Sequence, residues 1–123
     1  MLQNREARLL AVNHIAIFDC AMPTVKADEV LVEMEYCGIC GSDVAYFTKG
    51  RIGRRKVTFP YILGHECAGK VICAGENVTN VTVGDRVVLE PGLGCGRCEY
   101  CMTGRYNLCP DMRFLATPPH NGA

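Results

Sequence analysis

No apolar run in this chain approaches the length of a membrane span, and Met1 to Arg8 holds no apolar stretch of the kind a secretory leader needs. Neither sign of charge dominates, since thirteen Lys and Arg stand against thirteen Asp and Glu. Nucleic acid and anionic membrane surfaces are therefore not the expected partners. Internal repeats and low-complexity tracts are missing. A dinucleotide fingerprint is missing as well. Gly92-Leu93-Gly94-Cys95-Gly96-Arg97 comes nearest to G-x-G-x-x-G, but it lacks the last glycine and opens no helix after a strand. By itself this polypeptide is not expected to bind NAD(P). With 123 residues, 49% hydrophobic and 21% charged, what remains is one soluble globular domain with a modest core.

Cysteine is abundant, at nine residues. Without a leader, a reducing, cytoplasmic setting with thiols used for metal is a better reading than a disulfide scaffold. Cys95, Cys98, Cys101 and Cys109 follow the spacing C-x2-C-x2-C-x7-C. Four thiolates on so short a segment suit a closed tetrahedral zinc site that supports a lobe and does no chemistry. A disulfide cluster or an iron site would use the same ligands and stays open at this point. Gly94, Gly96 and Gly104 are expected to supply the positive-φ turns that curl the backbone round an ion. Cys20, Cys37, Cys67 and Cys73 lie in strand-like surroundings and are expected to be small buried hydrophobes.

The remainder reads as short strands with Gly and Pro turns, a mainly β, barrel-like domain. Ala7 to Val12 and Ile15 to Cys20 predict a hairpin about Asn13-His14. Glu29 to Tyr36 alternates acidic and apolar side chains, the period of a half-buried strand. Ser42-Asp43 is placed to cap a short helix running through Phe47. The basic segment 49–56 could bind phosphate, but a solvated surface loop is the better reading. Ala68 to Ala74 predicts a strand, Val78 to Val83 alternates weakly, and Val83 to Leu89 predicts a turn feeding a buried strand closed by Pro91-Gly92. Thr117 to Ala123 resembles a loop leaving a domain.

A second metal site is suggested by three separate residues, although on spacing alone His65 reads more readily as a core histidine and Glu66 as a surface charge. Cys40, His65 and Glu66 offer a thiolate, an imidazole and a carboxylate, leaving a fourth position for water or substrate. Zinc held so polarises a bound oxygen and lowers a hydroxyl pKa. Asp43 is a candidate to orient the His65 ring, and Ser42 to relay a proton. An ordinary helix N-cap would explain Ser42-Asp43 equally well.

Taken together, Cys37-Gly38-Ile39-Cys40-Gly41-Ser42-Asp43, Gly64-His65-Glu66, Val83-Gly84-Asp85-Arg86-Val87 and the four-cysteine lobe resemble the zinc-dependent medium-chain dehydrogenases, in the same order and spacing. The resemblance covers nearly the whole chain. It implies a GroES-like N-terminal catalytic domain over 1–123, a partly open β-barrel with short helices and a structural-zinc lobe at about 93–110. Within the family, Gly104 to Pro110 and Phe114 to Pro119 are similar to the sorbitol, xylitol and L-iditol dehydrogenases. That branch implies a catalytic zinc on the residues matching Cys40, His65 and Glu66, with Tyr46 and Phe114 lining the polyol site. In the alcohol dehydrogenase branch the third protein ligand is instead a distant Cys outside this chain. Ala45 stands where many alcohol dehydrogenases carry a proton-relay His.

The resemblance implies oxidation of a secondary alcohol to a ketone, with hydride passing to NAD or NADP. Family members continue into a Rossmann domain absent from this chain. The fragment alone is thus expected to be inactive, and the full-length protein is expected to be a homo-oligomer acting on a small polyol or alcohol. Another zinc alcohol, threonine or butanediol dehydrogenase is the alternative enzyme, and a stand-alone zinc-binding interaction module the alternative outside catalysis.

Overall fold

The structure is a computed structural model and describes residues 4–123. Strand β1 (Asn4–Ala11) pairs antiparallel with β2 (His14–Cys20). The predicted hairpin forms because Asn13 takes φ 61, a left-handed conformation that Asn tolerates better than most residues. Its N–H donates to the carbonyl of Phe47 at 2.8 Å, which fixes the hairpin tip against helix α1 (Gly41–Lys49).

Strand β3 (Val30–Gly38) pairs with β6 (Glu66–Ala74), and β6 with β7 (Arg86–Val88), giving a three-stranded antiparallel sheet. The register of β3 on β6 slips twice, between Leu31 and Val32 and between Met34 and Tyr36. Gly69 lies close to the second slip. A Cβ there would lie 2.1 Å from the Glu33 carbonyl oxygen, so only glycine lets the strands approach. Two shorter pairs complete the fold: β4 (Arg51–Ile52) with β5 (Arg55–Lys56), and β8 (Gly92–Leu93) with β9 (Arg113–Phe114). Helix α2 (Glu99–Met102) and a 3-10 turn over Tyr106–Leu108 lie between the last two strands. The architecture is mainly β, as expected, but the sheets are separate and do not close into a barrel.

The core is small. Leu9, Tyr46, Val57 and Tyr61 are buried together, with Phe47 and Leu63 packed against them. Leu9 and Tyr61 exchange two backbone bonds, at 2.7 and 3.0 Å, and so join the hairpin to the segment before β6. Burial pushes the Tyr61 phenol well above its ordinary range. Its hydroxyl donates to the His120 carbonyl at 2.6 Å. Tyr61→Phe would leave that carbonyl without its donor and should cost about 1–3 kcal/mol in a denaturant melt. The raised pKa also gives a pH signature. The Tyr61 contribution is complete below the unfolded-state value and is lost as pH rises beyond it, so the variant's deficit should shrink at alkaline pH.

Several expectations need correction. Strand β3 forms where alternation predicts it, yet residues 33–38 are exposed rather than half-buried, Tyr36 by 70%. Residues 78–83 form no strand, and β7 is not buried, with Val88 81% exposed. Of the four cysteines expected to be buried, only Cys67 is; Cys20 is half-buried, and Cys37 and Cys73 are exposed. Segment 49–56 is solvent-exposed as expected, but it is a β4–β5 hairpin rather than a plain loop. Residues 121–123 pack back on 62–64. Gly122 N–H donates to Ile62 O at 2.7 Å, Ala123 N–H to Gly64 O at 3.1 Å, and the Asn121 side chain accepts from Ile62 N–H at 3.0 Å. This docked tail backs the loop that carries His65.

Candidate metal centres

The lobe is built by its own sulfurs. Backbone N–H groups of Cys95, Cys98 and Cys101 donate to the Sγ atoms of Cys109, Cys95 and Cys98, at 3.3, 3.3 and 3.5 Å. Such bonds favour the thiolate form that a metal needs. The Cys95 thiol is pushed down to about 6 by the N–H groups of Arg97 and Cys98, whereas burial pushes Cys101 up to about 11. Gly96 and Gly104 take φ 72 and 76, as predicted for the turns. Gly94 serves differently: its φ is ordinary, but a Cβ there would stand 2.9 Å from Cys101 Sγ. All four sulfurs lie within 4.8 Å of one another. A tetrahedral ion bonded to sulfur at about 2.3 Å spaces its ligands about 3.8 Å apart, inside that limit.

The second group comes from three segments. Cys40 is the N-cap of α1, with φ −82 and ψ 155; His65 follows Gly64; Glu66 opens β6. The expected cap is shifted, since Cys40 occupies that position and not Ser42 or Asp43. Asp43 sits three residues into the helix, and its Oδ2 accepts from the Cys40 N–H at 2.9 Å. Its Oδ1 accepts from the Gly64 N–H at 3.3 Å and stands 3.9 Å from His65 Nδ1. One buried carboxylate thus ties the Cys40 loop to the His65 loop. Gly64 takes φ +99, which aims its N–H at Asp43 in a conformation few other residues adopt. Sequence reasoning missed this role of Gly64, although a glycine next to a candidate ligand histidine was a usable signal.

Ligand atoms of Cys40, His65 and Glu66 also lie within 4.8 Å of one another. Two details favour an ion there. His65 Nδ1 is buried without a hydrogen-bond partner. Gly38 leaves room for Glu66, because a Cβ on it would stand 2.6 Å from Glu66 Oε2. Thiolate, imidazole and carboxylate together suit zinc.

The remaining candidates separate. Phe114, on β9, meets His65 edge-on with ring centroids 5.5 Å apart. Because β9 pairs with β8 beside the lobe, the two metal groups share a support. Ser42 is half-buried in the first turn of α1, next to Asp43. Tyr46 is 2% exposed and faces Tyr61 across the core, with centroids 6.1 Å apart, so its ring offers this chain no open face for a ligand. Helix geometry explains the split, since side chains three apart share a face and Asp43 and Tyr46 both point inward.

Comparison with known proteins gives the family. Residues 26–123 match the family described as alcohol dehydrogenase GroES-like domain. The chain is 52% identical over 122 residues to a sorbitol dehydrogenase of Bacillus subtilis, covering 98% of this chain and 35% of that protein. It is 50% identical over 115 residues to a probable D-xylulose reductase A of Arthroderma otae, covering 93% and 32%. A solved oxidoreductase/dehydrogenase of unknown specificity from Escherichia coli superposes with a TM-score of 0.86 at 46% identity, over 99% of this chain and 36% of that one. The chain therefore spans about a third of the length of the relatives it matches. Its sequence and its fold assign it to the alcohol dehydrogenase GroES-like domain family.

Proposed function

We propose that this chain is the N-terminal, zinc-binding catalytic part of an NAD(P)-dependent dehydrogenase that oxidises a secondary alcohol of a small polyol to a ketone. The observation that carries the reading is the convergence of Cys40, His65 and Glu66 from three segments, beside a buried imidazole nitrogen that lacks a partner. Sorbitol and xylulose in the names of similar proteins favour a polyol over a simple alcohol. In this reading Cys95, Cys98, Cys101 and Cys109 hold a structural zinc, and Cys40, His65 and Glu66 a catalytic one. Bound at the second site, Zn2+ would supply Lewis-acid polarisation of an alcohol oxygen.

The chain's own residues then divide the work. Asp43 stands 3.9 Å from His65 Nδ1 and orients the ring towards Cys40 and Glu66. Its bonds to Cys40 and Gly64 fix both loops before any ligand arrives, so little reorganisation is required on binding. Ser42 starts the path by which the hydroxyl proton leaves. Phe114 forms an apolar wall beside His65. Nicotinamide binding belongs to the longer protein, and a cytoplasmic setting would keep the nine free thiols reduced.

The test is a substrate panel on a longer protein that carries this chain, with NAD+ or NADP+. Sorbitol or xylitol should be oxidised, and a chelator should abolish turnover until zinc is restored. Turnover of threonine, butanediol or simple alcohols with none of polyols would instead assign the chain to another dehydrogenase. Chelator-resistant turnover would contradict the metal reading.

A further inference from the structure

The register of β3 on β6 sets Cys37 directly opposite Cys67. The Cys67 thiol donates to Cys37 Sγ across 3.6 Å. Neither sulfur belongs to the two metal groups among the described residues. Cys67 is 3% exposed, whereas Cys37 is exposed and lines a cavity of about 360 Å³ together with Gly38, Ile39, Asp43 and Gly64. A small solute can therefore reach one sulfur of the pair while the second waits behind it. The Cys37 sulfur is also held in place from the far side, since a Cβ on Gly64 would stand 2.6 Å from it.

We propose that Cys37 and Cys67 form an oxidation site, a facing dithiol that a hydroperoxide closes to a disulfide. The exposed Cys37 sulfur gives up its proton and attacks one oxygen of hydrogen peroxide; the O–O bond breaks, that oxygen stays on sulfur as S–OH, and the other leaves as water after taking up a proton. The resulting Cys37 sulfenic acid is attacked by the Cys67 sulfur. The S–S bond forms, the S–O bond breaks, and the second oxygen leaves as water. Two thiols and one hydrogen peroxide give one disulfide and two waters; sulfur is oxidised and peroxide oxygen reduced. Geometry permits closure with modest movement. The sulfurs must come from 3.6 Å to about 2.05 Å, and facing strand residues have Cβ atoms about 4.5–5.5 Å apart against about 3.5–4.5 Å in a disulfide. Side-chain rotation and a slight approach of the strands achieve this. The next facing pair is Gly38 and Glu66, so the bond would brace the sheet beside the second metal group.

Peptide mapping tests the proposal independently of any enzymatic reading. The zinc-loaded chain is treated with hydrogen peroxide, alkylated and digested with trypsin. The expected product joins peptide 27–49, alkylated at Cys40, to peptide 57–70, is lighter by two hydrogens than the same two peptides with Cys37 and Cys67 as thiols, and separates on reduction. Cys37→Ser and Cys67→Ala should each abolish it, with circular dichroism confirming that both variants keep the fold. Persistence of the joined product in Cys37→Ser would make Cys40 the partner and overturn the assignment. So would failure of the folded wild-type chain to give any joined product while free Cys37 becomes overoxidised.

Discussion

Cys98→Ser should release one equivalent of zinc and melt the 95–109 lobe while the Leu9–Tyr61 core stays folded. The lobe has almost nothing else to hold it. No residue of α2 or of the following 3-10 turn is buried, and only Cys109 among the four cysteines is. Apolar burial, worth about 1.5–3 kcal/mol for a fully buried large side chain, is therefore scarce there. Binding of structural zinc, by contrast, reaches an apparent 10–16 kcal/mol or so in small zinc domains, and it is available only to the folded form. Serine can still accept the Cys101 N–H bond that Cys98 Sγ accepts, so the substitution isolates ligation from capping. Tryptic cleavage after Arg97 and Arg105 should accelerate, and elemental analysis should show the lost ion. Unchanged zinc content and an unchanged melting temperature would mean that the four sulfurs do not carry the lobe.

The second large effect is expected at His65. In a longer protein carrying this chain, His65→Ala should remove measurable turnover while the lobe zinc remains. The second metal group would retain only Cys40 and Glu66, and Asp43 would lose the imidazole that faces its Oδ1 at 3.9 Å. A buried carboxylate that has lost a neighbour it could polarise is poorly compensated, so some loss of stability should accompany the loss of activity. Asp43→Asn separates these contributions. It keeps the shape but removes the charge that orients His65, and metal affinity at this group should fall about 10–100-fold with the lobe unaffected. Full activity in His65→Ala would rule out the ligand assignment.

The lobe group was legible because its signal is local, whereas Cys40, His65 and Glu66 stood out as a group only through the family resemblance. The lobe is a spacing of four thiols within fifteen residues, and His65-Glu66 is an adjacent pair of strong ligands. The β1–β2 hairpin was equally legible, since the alternation on either side and Asn13 between them specify one turn. Other features depend on partners that periodicity does not name. Alternation in β3 says which side chains share a face, but it cannot say whether anything covers that face, and Tyr36 is exposed as a result. The docking of 121–123 on 62–64 is made by backbone groups and one Asn side chain, which leave no apolar pattern. Opposition of Cys37 and Cys67 needs both the choice of β6 as partner and the slip after Met34. A shift of one residue would place the two sulfurs on different faces.

The capping bond of Asp43 explains why helix and site were hard to separate in advance. A residue three positions into a helix that bonds back to the N-cap N–H is ordinary capping. Here the same carboxylate also accepts from Gly64 and faces His65. For Asp43, local stability and site geometry are served by one side chain, although the N-cap itself is Cys40.

The most direct measurement is zinc-edge anomalous diffraction from crystals of the zinc-loaded chain. Two peaks are expected: one enclosed by the sulfurs of Cys95, Cys98, Cys101 and Cys109, and one bonded at about 2.0–2.3 Å to Cys40, His65 and Glu66. A single peak in the lobe, with those last three side chains turned away from one another at saturating zinc, would contradict the account.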